Sequence, residues 1–452
     1  MWTCDIKGCD RVAVRTRGEY VICGRHLCAN HIARDFHTCP VWQDGEQYNV
    51  AARIAENEEI TKLLASINVS ALLSRASDLR NGIPCSLSET LQYDRSTRRT
   101  VMGGMNYHIG IRFEDGVVWL ARIRRSNATS PPPDLRDYII RSEVATLQFL
   151  GKTKVPVPKV FDYNVDPGNP VGLGYILMER VAGRSLEWAL ASTEARKKIM
   201  DQLADIYAEL ASFPFDTMGS LDQPGTDHIG PLARESLTDY ADNRMLLLGP
   251  MRDSAEYLSA KVEFNIDMLM RGEVYAGREI DAFLVHKFLL DSIPALMLSH
   301  RHDDGKFYLR HADDNGDHIL VDGEHNITGI IDWEWAYTES KSAAFRTPIM
   351  LLPVGEFYDG SNHTGEDELT FAAILEGKGH PELAAIVRNG RIFHFFEFCC
   401  GYDFADWEGF LGLFKGLREA LGTDMGLDWE AWRQMALERY ANDERLKRLL
   451  LR

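Results

Sequence analysis

Residues 308–336 read YLRHADDNGDHILVDGEHNITGIIDWEWA, and this stretch decides the fold. Two short apolar runs, 319–322 and 327–332, flank a polar turn containing Gly323, which predicts a β-hairpin. A loop carrying His311 and Asp313 leads into the first strand, and Asp332 ends the second. Pairing those strands brings Asp313 and Asp332 to neighbouring ends of one hairpin. Phosphoryl transfer needs two such carboxylates: one orients the attacking hydroxyl and accepts its proton, the other holds a divalent ion on the phosphates.

Upstream, the runs 107–113 and 117–123 flank Glu114-Asp115-Gly116, a strong hairpin signal. Gly103-Gly104 precede that hairpin, where a backbone without side chains lets a phosphate approach, although a Gly pair alone is equally an ordinary turn. Residues 126–133, rich in Ser and Pro, read as a mobile loop. A helix over 136–150 follows, with Glu143 facing inward among Val144, Leu147 and Leu150. Residues 175–178 read as a buried strand that ends at Met178 and Glu179.

Taken together, these segments resemble the aminoglycoside phosphotransferase and choline kinase group, above all its fungal members, over about residues 90–420. The family's loop reads H-G-D-x-x-x-x-N, followed by I-D-W-E. Here His311, Ala312, Asp313 and His318 occupy the loop positions, and Ile331-Asp332-Trp333-Glu334 supplies the second motif. The resemblance implies an α+β, bilobal protein-kinase-like fold with a small β-rich N-lobe and a large helical C-lobe, ATP with Mg²⁺ or Mn²⁺, and a small-molecule acceptor. It gives the catalytic-base role to Asp313 beside His311, and the metal to Asp332 with His318. It sets Gly103, Gly104 and Asn106 over the nucleotide, Arg122 at the phosphate-pairing lysine with Glu143 as its helix partner, and Met178 and Glu179 at the adenine hinge. Segment 352–360, LPVGEFYDG, also looks like the fungal proteins.

Two positions depart from that pattern. His318 stands where the family has a metal-binding Asn, and an imidazole suits Mn²⁺, Co²⁺ or Zn²⁺ better than Mg²⁺. This leaves a one-metal enzyme, an enzyme preferring a softer metal, a protein without catalysis, or a histidine that only caps the loop. Arg122 replaces lysine, keeping the charge in a bulkier, bidentate form.

The first 39 residues hold five of the chain's eight cysteines. Cys4, Cys9, Cys23, His26, Cys28, His31, His37 and Cys39 make eight donors, enough for two closed tetrahedral sites and two structural zinc ions. So few aliphatic residues accompany them that metal is expected to supply the folding energy. From Cys28 to Cys39 the text resembles the cross-brace zinc fingers of the AN-one type. That resemblance implies one ion on Cys4, Cys9, Cys28 and His31, and the other on Cys23, His26, His37 and Cys39.

The expected organisation is a zinc module at 1–42, a helical connector at 43–84, a kinase-like N-lobe at 85–180 and a C-lobe at 181–452. A formal charge of −17 argues against nucleic acid and anionic membranes as partners and suits a cationic acceptor. No run reaches the length of a membrane span, and the first residues lack the pattern of a signal peptide, so a cytosolic or nuclear, reducing location is expected. Asp314 and Asp317 crowd Asp313 with negative charge, which would raise its pKa or gather a cation, while the more usual reading is of solvated loop carboxylates. In 392–410, IFHFFEFCCGYDFADWEGF, the aromatics read first as a core helix, with Asp403, Asp406 and Glu408 as candidate contacts to a cationic acceptor. The tail from 429 to 452 reads as an amphipathic helix. Two functions remain in view: an ATP-dependent phosphotransferase for a small hydroxyl compound, and a pseudokinase platform that engages a protein partner through its zinc module and C-lobe.

Overall fold

The computed structural model describes residues 2–15, 19–32, 36–241, 244–299, 303–401 and 406–451. The chain divides into two units, one of residues 1–152, 156–182 and 222–227, the other of 153–155, 183–221 and 228–452.

The first unit is built on a five-stranded antiparallel sheet in the order β1-β2-β3-β5-β4, from β1 Cys85–Leu87, β2 Asn106–Phe113, β3 Val118–Arg124, β4 Val160–Asn164 and β5 Tyr175–Glu179. The β2–β3 hairpin turns at Asp115-Gly116, with Gly116 at φ +87°, and pairs Arg112 with Val118 through to Asn106 with Arg124. Helices α1 Glu46–Ala65 and α2 Val69–Asp78 fall where a connector was expected. They do more than connect. Ile60, Leu63, Leu64, Leu72 and Ala76 are buried in one core with Tyr107, Ile109, Ile111 and Trp119 of the sheet. Asn68 caps α2 by accepting from the N–H of Ala71, and its own N–H bonds the carbonyl of Val171. Helix α3 Pro133–Leu150 starts with proline at its first position and buries Glu143.

The second unit is mostly helical. Helices α4 Thr193–Ala211, α5 Ser254–Arg271 and α6 Glu279–Leu298 are joined later in the chain by α7 Arg391–Gly401 and α8 Trp407–Leu421. Phe393, Phe395, Phe396, Cys399 and Cys400 are buried in its core, as the spacing of the aromatics suggested. The expected tail helix is two, α9 Trp429–Arg439 and α10 Glu444–Leu450, and Trp432, Ala436, Leu446 and Leu449 pack into that core. Strands β6 Arg184–Ser185, β8 Ile319–Val321 and β9 Ile327–Ile330 form a small sheet in the order β9-β8-β6, while β7 Phe307–Arg310 pairs with β10 Tyr337–Ser340. A sheet-rich first unit and a helical second unit are those of the α+β protein-kinase-like fold. Among the described residues no helix is long and apolar enough to cross a membrane.

Candidate active site and metal centres

The β8–β9 hairpin pairs Ile319 with Ile330 and Leu320 with Gly329, and β8 is fixed on its other edge by Ser185. The loop before it is held from inside by His311. The imidazole Nδ1 accepts the N–H of Asp313 at 3.1 Å, so Nε2 carries the proton and donates it to the carbonyl of Ile331 at 2.9 Å. One ring therefore joins the residue before Asp332 to the backbone of Asp313. The N–H of Ile331 returns a bond to the carbonyl of His318 at 2.9 Å, and the rings of His311 and His318 stack at 4.1 Å. Gly316 turns the loop at φ +98°, and a Cβ there would lie 2.7 Å from the sulfur of Met350. Asp332 sits at φ +62°, a left-handed conformation uncommon for a non-glycine residue and a frequent mark of functional turns.

Asp313 is exposed at the loop surface, and Asn315 Nδ2 donates to its Oδ1 at 2.5 Å. Partial burial, then the negative charge of Asp317, raises its carboxyl above the ordinary aspartate value. His318 is pushed the other way, to about 2, first by burial and then by His311, against the pull of Asp332. The ring is neutral at physiological pH, and its buried Nδ1 has no hydrogen-bond partner. A neutral imidazole as a ligand suits a borderline divalent ion better than Mg²⁺. Asp314 departs from the expected solvated carboxylate. It lines a cavity of about 60 Å³ with Tyr207, Arg310, His311, His318 and Trp333, and its Oδ1 is buried.

In the first unit, Arg122 and Glu143 meet as an ion pair at 3.3 Å, both nearly buried. Gly103 donates its N–H to the carbonyl of Asn106, closing a tight turn before β2. Neither Gly103 nor Gly104 has a positive φ, and a Cβ on either would meet nothing within 4 Å. Neither the backbone conformation nor the packing therefore requires glycine at these two positions. Met178 is buried within β5. Glu179 ends the strand with its N–H bonded to the carbonyl of Lys159 at 2.8 Å, so that N–H is already engaged.

Seven of the eight N-terminal donors gather in two groups. Cys4, Cys9, Cys28 and His31 bring one atom each within 4.8 Å of one another. Zinc at about 2.3 Å from sulfur and 2.0–2.1 Å from nitrogen sets tetrahedral neighbours about 3.8 Å apart for two sulfurs and about 3.5 Å for a mixed pair. The sulfurs of Cys9 and Cys28 lie 3.9 Å apart, and His31 Nδ1 is 3.3 Å from Cys4 and 3.4 Å from Cys28. The residues fit the ion. Burial pushes the Cys4 thiol up, but backbone hydrogen bonds at Cys28 and Ile6 and the His31 ring outweigh it and lower the thiol to about 7.

The second group has Cys23, His37 and Cys39, with Cys23 Sγ 3.3 Å from His37 Nε2. The expected fourth ligand, His26, lies elsewhere. Its Nε2–H donates to the carbonyl of Ala128 at 2.6 Å, Nδ1 faces Asp5 at 3.6 Å, and the ring stacks on Trp2. Nε2 is thereby engaged away from the cluster, which is left with three donors.

Of the acceptor candidates, Asp406 caps α8 by accepting from the N–H of Gly409 at 3.1 Å. Glu408 is exposed in the first turn of that helix, and Asp403 lies outside the described residues. Glu397 of the same stretch, half-buried, accepts from Lys261 Nζ through two contacts of 2.9 Å. Sequence reasoning missed Glu59 and Arg125, a buried ion pair at 2.8 Å. Their signal was faint: a glutamate one residue before the apolar Ile60 of a mostly polar helix, and an arginine at a strand end.

Residues 118–338 match the profile of the phosphotransferase enzyme family, APH. A subtelomeric hrmA-associated cluster protein of Aspergillus fumigatus is 41% identical over 122 residues, 26% of this chain and 23% of that protein. Altered inheritance of mitochondria protein 9 of Candida glabrata is 38% identical over 103 residues, 18% of this chain and 16% of the relative. The chain thus spans less than a quarter of the length of these curated relatives. Among solved structures, an aminoglycoside 2'-phosphotransferase of type IIIa bound to GDP is similar at 18% identity and TM-score 0.40, covering 71% of this chain and 89% of that one. Plasmodium vivax ethanolamine kinase is similar at 13% identity and TM-score 0.43, covering 85% and 94%.

Proposed function

We propose that this protein is an ATP-dependent phosphotransferase that acts on the hydroxyl of a small, cationic molecule, and that it carries a structural zinc ion on Cys4, Cys9, Cys28 and His31, while Cys23, His37 and Cys39 supply three of the four donors a second site needs. The observation that supports this most is the His311 bridge, which ties Asp313 and the residue before Asp332 into one rigid constellation. A carboxyl raised by partial burial and a negative neighbour at that point suits a general base. The family profile over residues 118–338 supports the same reading.

Asp313 accepts the proton of the acceptor hydroxyl, and its raised carboxyl makes it the stronger base once ionised. His311 keeps the loop in place through its two hydrogen bonds and touches no reacting atom. Asp332 and His318 would hold a divalent ion, with Mn²⁺ preferred to Mg²⁺. When bound, such an ion supplies positive charge to the phosphate oxygens as the γ-phosphoryl group departs. Gly103 and Gly104 admit the phosphates to the backbone, and Arg122, fixed by Glu143, adds a cation. The chain's charge of −17 favours a cationic acceptor. Cys4, Cys9, Cys28 and His31 form a closed zinc site, which serves folding.

The nitrogen at His318 in place of an amide also supports a second reading, a pseudokinase platform. Steady-state phosphate transfer from ATP to a panel of amino-alcohols, in Mg²⁺ and in Mn²⁺, separates the two. Turnover that Asp313→Asn abolishes supports the enzyme. Folded protein that binds neither metal–ATP complex sinks it.

A further inference from the structure

We propose that the N-terminal elements brace two parts of the first unit, α1 holding the Gly103–Gly104 turn without metal and the zinc module holding the loop at the head of α3, with Glu59, Arg125 and His26 as positioning residues. This deepens the phosphotransferase reading, because the braced elements are those assigned to the nucleotide phosphates.

Three ties carry the inference. The first is Arg125, just past β3 and nearly buried. Its Nε and Nη2 reach the two oxygens of Glu59 at 2.8 Å each, and its Nη1 donates to the carbonyl of Gly104 at 3.0 Å. Its backbone N–H also bonds the carbonyl of Met105 at 2.9 Å. One guanidinium therefore joins α1 to the glycine turn. A bidentate arginine fixes its partner in direction as well as distance.

The second tie is Asn127, whose Nδ2 donates to the same Glu59 oxygen at 3.0 Å. Asn127 belongs to the Ser- and Pro-rich loop that sequence reasoning took for a mobile segment. Instead its Oδ1 organises the loop by accepting from the N–H and hydroxyl of Thr129, and Ser126 receives Arg136 from the first turn of α3 at 3.0 Å. The third tie is the zinc module itself. His26 Nε2–H donates to the carbonyl of Ala128 at 2.6 Å, and Ala128 packs on the module's small centre of Cys4, Tyr20, Leu27 and Cys28. The loop is gripped by α1 at Asn127 and by the zinc module at Ala128. It leads directly into α3, which presents Glu143 to Arg122.

The two grips differ in what sustains them. Helix α1 is anchored in the sheet's core by Ile60, Leu63 and Leu64, so its grip survives without metal. The zinc module has four buried residues at its centre and depends on its ions for order. Metal loss should therefore release Ala128 and the head of α3, while Arg125 still holds Gly104. The zinc content of the chain then sets how firmly the Arg122–Glu143 pair is presented.

The test is hydrogen exchange by mass spectrometry on the full chain, with zinc counted per molecule, before and after a chelator. It is repeated for His26→Phe, which keeps a ring on Trp2 and removes the donor, and for His26→Gln, which restores one. The expected result is unchanged zinc in His26→Phe and exchange about tenfold faster over residues 127–135, the loss of one hydrogen bond. Exchange in β2 and β3 should stay as in the parent, and His26→Gln should recover most of the protection. Binding of Mn²⁺–ATP should weaken several-fold in His26→Phe and in the chelated protein. Unchanged exchange over 127–135 in both samples overturns the brace, as does loss of a zinc ion in His26→Phe, which would make His26 a ligand. Should the parent protein bind no Mn²⁺–ATP, the phosphotransferase reading falls, while the exchange data still judge the brace.

Discussion

Replacing Glu59 with leucine removes one partner of a buried pair and leaves the other charged. The carboxylate and the Arg125 guanidinium are only 6% and 9% exposed, and they meet through two contacts of 2.8 Å. Arg125 would keep only the carbonyl of Gly104 for its side chain, and Asn127 would lose its acceptor. Breaking such a pair from one side costs about 3–5 kcal/mol, because the remaining charge stays out of water. Replacing both partners, Glu59→Leu with Arg125→Met, removes that stranded charge and should return much of the loss. The double mutant is thus expected to be more stable than Glu59→Leu alone. Urea unfolding followed by exchange at β2 and β3 reads the first unit separately from the second. A cost below about 1 kcal/mol for Glu59→Leu is the range of a solvated surface pair, and would refute the buried tie.

Three further outcomes are expected. Ile60→Ala should destabilise the first unit by about 2–5 kcal/mol, since Ile60 is fully buried, while Ile54→Ala on the exposed side of the same helix should change it by less than about 0.5 kcal/mol; equal effects would make α1 a mere connector. Asp313 must be ionised to act as base and its carboxyl is raised, so kcat/KM should fall with decreasing pH from above the ordinary aspartate range. Asp317→Asn, by removing a negative neighbour, should move that acid limb to lower pH, and an unmoved limb would assign it to another group. His318→Asn should shift the metal preference from Mn²⁺ towards Mg²⁺, and an unchanged ratio of the two activities would remove His318 from the metal.

Much of this molecule could be read from local pattern. The β8–β9 hairpin, the β2–β3 hairpin at Asp115-Gly116 and the inward Glu143 are set by periodicity and turn chemistry within a few residues. The core role of residues 392–400 was legible for the same reason. What sequence missed depends on partners distant in the chain. Nothing near His26 says that its ring bonds Ala128, 102 residues away, and a Cys-x-x-His spacing pointed to the metal instead. Likewise, α1 reads as polar because one narrow strip, Ile60 with Leu63 and Leu64, carries its burial. Asp314 was taken as solvated because charge and loop position suggest it, yet the loop turns it towards a cavity beside Arg310. Asp406 has the composition of a cation contact and the position of a helix cap, and only the backbone geometry separates those uses.

The central claim is a working metal–nucleotide site, and calorimetric ATP binding tests it most directly. Titrations in Mg²⁺ and then in Mn²⁺ would be made on the intact protein and on Asp332→Asn. Metal-dependent binding, tighter with Mn²⁺ and lost in Asp332→Asn, is the expected result. No binding with either metal, from protein shown to be folded and loaded with zinc, would contradict it and turn the search to protein partners.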